Sequence, residues 1–171
     1  MVPFLETARL RLRPSQPSDL DGHAAMLADP AIVRFLGGQI ASREETWRKL
    51  LSLHGLWPML GFGYWAVEEK SSGTYLGQLG FADFKRGMSP SIEGLPEMGW
   101  MLGPHAQGRG IATEAALGAL HWADQALPGR EIVAIIDQAN LASIRVAEKA
   151  GFGEREPATY KDEPILLFRR R

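Results

Sequence analysis

Two short runs carry the residues able to do chemistry here. The first is Gln107-Gly108-Arg109-Gly110-Ile111-Ala112, followed at once by the helix-forming Thr113-Glu114-Ala115-Ala116-Leu117. It comes just after the strand-like Glu97-Met98-Gly99-Trp100-Met101-Leu102. Glycines at a helix entrance let a ligand lie against the backbone and accept positive φ without steric cost. The first N–H groups of a helix have no internal partner and form a ready anion site. Each such contact contributes roughly 0.3–1 kcal/mol, so several amides together can hold a pyrophosphate. The bland alternative is a Gly-rich strand-to-helix turn with no ligand. A Walker loop is disfavoured because Gly110 precedes Ile111-Ala112 rather than Lys-Ser or Lys-Thr. A dinucleotide fingerprint is disfavoured because Thr113 stands where a third small residue is needed.

The second run, Asn140-Leu141-Ala142-Ser143-Ile144-Arg145-Val146-Ala147-Glu148-Lys149-Ala150-Gly151-Phe152, lies roughly thirty residues on, with a strand between. It reads as a capped helix. Asn140 is placed to accept an orphan N–H, and Gly151 to form a left-handed C-cap. Ile144, Ala147 and Ala150 share an apolar stripe.

Together the two runs resemble the GCN5-related N-acetyltransferases (GNAT). Gln-x-x-Gly-x-Ala is similar to the family's coenzyme A pyrophosphate loop. Asn, then Ser, then Lys-x-Gly-Phe is similar to its fourth-helix signature. The opening Leu5-Glu6-Thr7-Ala8-Arg9-Leu10-Arg11-Leu12-Arg13-Pro14 resembles the first strand of the RimJ/RimL-type branch, so the likeness touches nearly the whole chain. It implies acetyl-CoA as cosubstrate, contacted by Met101, Leu102, Gln107, Gly108, Arg109, Gly110, Ile111, Ala112 and Asn140. It also implies a cleft between two splayed strands, here Glu97–Leu102 and Glu131–Asp137. By position in Glu-Met-Gly-Trp, Glu97 matches a glutamate taken as base in the RimL-like branch, and Glu93 is its nearby rival. Where many members carry a tyrosine acid seven residues after the helix-starting Asn, this chain has Ala147. Ser143 then becomes the candidate acid, and Tyr160 is a further hydroxyl able to reach a cleft. Arg145 and Lys149 are both candidates for the coenzyme's 3′-phosphate.

Transfer of acetyl to an amine needs the amine neutral. An α-amino group of pKa near 7.8 is about 15% neutral at pH 7, and a lysine of pKa near 10.4 only about 0.04%. An enzyme for N-termini therefore leans less on a base. The expected function is transfer of acetyl to a primary amine, either a protein N-terminus or a small molecule. The rival readings are a coenzyme A-binding module without turnover, favoured by the missing tyrosine at 147, and an α/β domain holding an unrelated phosphate.

Composition narrows the rest. The chain has 171 residues, which fits one domain over 1–171. The absence of cysteine removes disulfides and thiolate chemistry. His23, His54, His105 and His121 show no ligand spacing, so no metal is expected. A net charge of −1 argues against nucleic acid. No apolar run approaches the ~20 residues of a membrane span, and the N-terminal residues lack a signal-peptide core, so a cytoplasmic location without membrane contact is expected. A homodimer stays open.

The elements needed to position these residues follow from pattern. Arg9–Arg13 alternates as a strand ended by Pro14. Ser18-Asp19 cap a helix to about Asp29, stopped by Pro30. Ser42 with Glu45 forms a capping box for a second helix. Strands near Gly63–Glu69 and Tyr75–Lys85 read as a hairpin, and Arg86–Pro96 as a loop. A long helix runs from the glycine loop to about Leu127, and Ile165–Arg169 gives the last strand. This order predicts an α/β (α+β mixed) fold. Its sheet would have six or seven strands, mostly antiparallel, flanked by about four helices.

Overall fold

The computed structural model describes residues 1–171. One nine-stranded sheet runs through it. In chain order its strands are β1 (Leu5–Glu6), β2 (Leu10–Arg13), β3 (Tyr64–Glu69), β4 (Tyr75–Ala82), β5 (Met88–Ser89), β6 (Glu97–Leu102), β7 (Ile132–Ile136), β8 (Glu154–Tyr160) and β9 (Glu163–Arg170). Their order across the sheet is β1-β2-β3-β4-β6-β7-β9-β8-β5. The helices are α1 (Leu20–Leu27), α2 (Pro30–Val33), α3 (Arg43–Leu60), α4 (Ile111–Ala126) and α5 (Leu141–Lys149). No helix is long and apolar enough to cross a membrane.

Nine strands and five helices exceed the six or seven strands and about four helices expected, and β8 and α2 are among the additions. β8 reads Glu-Arg-Glu-Pro-Ala-Thr-Tyr, and its only outer neighbour is the two-residue β5, so charge and Pro157 are tolerated there. It folds back on β9 through Lys161 and Asp162, both at positive φ (53° and 63°), as a two-residue hairpin turn requires. Pro30 does not merely stop α1. It opens α2 at a first-turn position that needs no N–H, with the Asp29 carboxylate accepting from the Ala31 amide at 2.9 Å. The first helix starts after Asp19 as expected but ends at Leu27, short of Asp29, because Asp29 turns extended to cap α2.

α3 begins at the anticipated capping box. The Ser42 hydroxyl accepts from the Glu45 amide, and the Glu45 carboxylate accepts from the Ser42 amide at 2.7 Å. One face of the sheet is covered by α4, whose Ala115, Ala116, Ala119 and Ala123 are fully buried. Their small size lets the helix sit close on Leu10, Leu12, Leu79, Phe81 and Met98. Trp57, Trp65 and Trp122 interlock edge-on in the same core, with ring centroids 4.7–5.5 Å apart. Such pairs contribute about 0.5–1.5 kcal/mol beyond their burial. α1 covers part of the other face, where His23 lies 2% exposed with Nδ1 3.1 Å from the Tyr75 hydroxyl.

β6 and β7 run parallel and share one register pair, Glu97↔Val133, with the Val133 amide donating to Pro96 O at 3.0 Å. Beyond that point they separate, and the sheet is continuous on both sides of the gap.

Candidate active site

The gap exposes a defined set of backbone groups. The Gly103 amide donates to Leu76 O, which fixes the alternation of the β4–β6 ladder. Gln78–Met101 and Gly80–Gly99 are then its hydrogen-bonded pairs. The N–H and C=O groups of Trp100 and Leu102 point the other way, into the gap. Leu102 thus faces the cleft through its backbone. Met101 does not: its backbone is committed to β4, and its side chain packs against Leu27, Val33 and Ala41. Trp100 takes its place among the cleft-facing groups, a residue that sequence pattern did not single out.

The glycine loop follows directly. A 3-10 turn at Pro104–Ala106 delivers Gln107, whose side-chain N–H₂ reaches back to Leu102 O at 3.5 Å. Gly108 (φ 70°) and Gly110 (φ 73°) are both left-handed, and Gly110 is the N-cap of α4. The first internal bond there runs from the Glu114 amide to Gly110 O. The amides of Gly108, Arg109, Gly110, Ile111, Ala112 and Thr113 therefore have no partner in the chain. Ile111 is 1% exposed and Ala112 packs on the core, so each can serve a ligand only through its amide.

Arg109 is turned away from these amides. Its guanidinium donates to Glu69 and to His105 O, and hydrogen bonds from Arg109, then Ser72, hold the Glu69 carboxyl below its ordinary range. The loop is tied down from the start of the chain. Arg9 donates to Arg109 O at 3.0 Å and to Glu114 at 2.6 Å, while Thr7 Oγ1 donates to the same Glu114 carboxylate at 2.6 Å. Burial pushes the Glu114 carboxyl up, but these bonds outweigh it and leave it lowered. Arg9 and Glu114 were not legible as a pair, because 105 residues separate them.

Asn140 caps α5 with its side-chain oxygen, accepting from the Ser143 amide at 3.1 Å. Its N–H₂ remains free. Ser143 Oγ accepts from Trp100 Nε1 at 3.3 Å, so β6 and α5 touch across the gap and the serine's own O–H is left to donate. Ala147 is fully buried in the core. Arg145 and Lys149 on α5 are exposed.

On the opposite face of the sheet, Glu97 is 4% exposed. Both its oxygens are gripped by Arg86, at 2.6 Å (Nε) and 2.9 Å (Nη2). Arg86 also donates to the Tyr160 hydroxyl at 3.0 Å and lies between the rings of Phe84 and Tyr160, 4.7 and 4.9 Å from their centroids. Burial alone would lower the Arg86 guanidinium, but its bonds to Glu97 and Tyr160 raise it. Glu93, the rival of Glu97, sits exposed beside Lys85.

No group of three His, Asp or Glu residues is arranged to hold a metal. A cavity of about 380 Å³ between the end of α4 and β9 is lined by charges that pair among themselves, Arg170 with Asp124 and Arg171 with Glu131.

The sequence profile of the acetyltransferase (GNAT) domain matches residues 9–153. A GnaT-family acetyltransferase from Bordetella pertussis is 29% identical, with 99% of this chain and 100% of that one covered at a TM-score of 0.85. An acetyltransferase from Agrobacterium tumefaciens str. C58 is 28% identical over 100% and 95% of the two chains, with a TM-score of 0.84. At 17% identity, with 96% of each chain covered and a TM-score of 0.73, the spermidine N-acetyltransferase from Vibrio cholerae in complex with CoA and spermine shares the fold alone. This chain is an acetyltransferase and belongs to the GCN5-related N-acetyltransferase (GNAT) family.

Proposed function

We propose that this acetyltransferase uses acetyl-CoA to acetylate a primary amine, either a protein N-terminus or a small molecule. One observation carries the reading: the unpartnered amides from Gly108 to Thr113 adjoin the gap that opens past Glu97↔Val133. The donor set fits the cosubstrate. The amides, at the positive end of α4, suit a pyrophosphate. The cleft-facing groups of Trp100 and Leu102 suit an amide-bearing arm, and so does the free N–H₂ of Asn140. When bound, acetyl-CoA supplies the acetyl thioester whose carbonyl carbon the amine attacks, with the thiol as leaving group.

The chain's own residues then have divided tasks. Ser143, accepting from Trp100, keeps its O–H to donate toward a sulfur in the gap. Glu97 and Arg86 form a closed pair that fixes the opposite wall. No free carboxylate remains there to deprotonate a lysine-like ammonium, which favours an amine already partly neutral at pH 7. The RimJ/RimL-like opening strand leans the same way. In this reading protein N-termini stand slightly ahead of small amines as acceptors.

The test is an acceptor screen read as thiol release, beside calorimetric titration of acetyl-CoA. The reading requires saturable acetyl-CoA binding and release of thiol that depends on an added amine. Binding with no release in the presence of any amine points instead to a non-catalytic coenzyme A module. No binding at all overturns both.

A further inference from the structure

Trp57 and Trp65 give their indole N–H groups to backbone carbonyls, Tyr64 O at 3.0 Å and Pro3 O at 2.8 Å. Trp100 gives its own to a side-chain hydroxyl, Ser143 Oγ, at 3.3 Å. Both residues are half-buried, and the Trp100 ring packs on the rim of the main core. The bond runs from β6 to α5, three residues beyond Glu97, where β6 and β7 pair through Glu97↔Val133. It therefore crosses the gap in which the proposed function places the acetyl thioester.

Ser143 is held from two sides. Its amide donates to Asn140 Oδ1 at 3.1 Å, which fixes its backbone in the first turn of α5, and Trp100 holds its oxygen. Serine and threonine in helices often turn the hydroxyl back on the helix's own carbonyls. Thr46 and Ser52 in α3 do so, donating at 2.8 and 2.9 Å to the carbonyl four residues earlier. Ser143 makes no such bond. It is also the one hydroxyl on α5, since Ala147, one turn on, is fully buried and carries none. Its oxygen is thus occupied by the indole while its proton stays uncommitted at the gap.

We infer that Trp100 is a positioning residue for acetyl transfer: its indole N–H orients the Ser143 hydroxyl toward the departing sulfur and steadies the serine oxygen as the proton leaves. The inference rests on the acetyl-transfer reading above. Ser143 gives its proton to sulfur as the C–S electron pair settles there, and recovers through water the proton that the attacking nitrogen sheds. While the proton moves, negative charge grows on Oγ, and an N–H already aimed at that atom stabilises it without rearrangement. A hydroxyl already held in place also needs no search among rotamers at the moment of transfer.

The test uses Trp100→Phe, which keeps an aromatic ring on the strand and removes the N–H donor, beside Ser143→Ala and the double variant. Alaninamide, spermidine and kanamycin serve as acceptor probes, with thiol release as the rate. Acetyl-CoA affinity is followed separately by calorimetry. With the fastest probe, Trp100→Phe should lower kcat about tenfold, about 1.4 kcal/mol, and leave the KM and Kd for acetyl-CoA unchanged. Ser143→Ala should lose at least as much, and the double variant no more than Ser143→Ala alone, because the indole acts only through the serine. A tryptophan that merely packs would add its loss to that of Ser143→Ala, and such a sum overturns the inference. So does an unchanged kcat in Trp100→Phe. A second measurement leaves Trp100 in place: of the five indole N–H resonances in a nitrogen–proton correlation spectrum, one should move in Ser143→Ala. A spectrum in which none moves overturns the inference as well. No thiol release with any probe overturns it together with the reading it rests on.

Discussion

Arg86 grips Glu97 through two parallel N–H···O bonds of 2.6 and 2.9 Å, with a carboxylate 4% exposed and its guanidinium flanked by Phe84 and Tyr160. A pair this enclosed is costly to break from one side, because the surviving charge is left without compensation. Glu97→Gln and Arg86→Gln should therefore each cost about 2–4 kcal/mol, and the double variant about as much as either single one. Urea midpoints for the three proteins test this. The same Glu97→Gln protein separates positioning from proton transfer. A positioning role predicts a loss of turnover nearly independent of pH. A general base predicts a loss of roughly 10²–10⁴-fold that closes as pH rises and the amine deprotonates unaided.

Gly110 has φ 73° and nothing but Arg9 Nη2, 3.6 Å away, near the place a Cβ would occupy. Asn tolerates left-handed backbone far better than other side chains. Gly110→Asn should melt within about 1 kcal/mol of the parent while binding acetyl-CoA at least tenfold more weakly, because it puts a side chain where glycine leaves the backbone open to a ligand. Equal affinity by calorimetry would move the pyrophosphate elsewhere.

How much of this was legible depended on how local the cause was. The caps of α3 and α5 were readable because Ser42 with Glu45, and Asn140 with Ser143, lie three residues apart. β6 was bounded as found, Glu97–Leu102, and the left-handed Gly108 and Gly110 followed from glycine's conformational freedom. Features set by distant residues were hidden. Nothing in Glu-Arg-Glu-Pro marks β8 as a strand until β9 is beside it. Glu97 looked like a free carboxylate because Arg86 sits in a stretch with no periodicity. Met101 and Trp100 cannot be ranked from sequence, since a one-residue change of register swaps which backbone faces the gap. The approach of the Tyr64 hydroxyl to Gly99 was hidden because it crosses a whole strand, β4.

The Tyr64–Gly99 approach also makes a stability prediction. A methyl group at 99 would meet the phenol oxygen at 2.2 Å but the ring carbon bearing it only at 3.4 Å. Gly99→Ala should cost about 1–3 kcal/mol by forcing the ring aside. In Gly99→Ala/Tyr64→Phe the offending oxygen is gone, and at least half of that loss should return. A double variant no more stable than Gly99→Ala would mean that the strain lies in the β6 backbone rather than against Tyr64.

His23 gives the fold a pH dependence whose sign can be worked out. Burial first, and the charge of Lys49 second, lower its pKa from 6.5 to about 4, against a smaller opposing effect of Asp19. The folded protein thus keeps His23 neutral at pH values where the unfolded chain protonates it. Above pH 6.5 both states are neutral there, and the residue's contribution is fully present. As pH falls from 6.5 towards 4 the unfolded state binds the extra proton, and stability drops by up to about 1.4 kcal/mol per pH unit, roughly 3 kcal/mol in all. Carboxylates such as Glu114, lowered by their hydrogen bonds, also lose stabilisation as pH falls, so the measurement must be a difference. His23→Asn keeps a polar atom for the Tyr75 hydroxyl and removes the titration. Unfolding free energies at pH 7.0 and 5.0 should fall further for the parent than for the variant, by about 1–2 kcal/mol. Equal slopes would show that His23 accepts a proton in the fold as readily as in the unfolded chain, and that its enclosure between α1 and β4 opens on protonation.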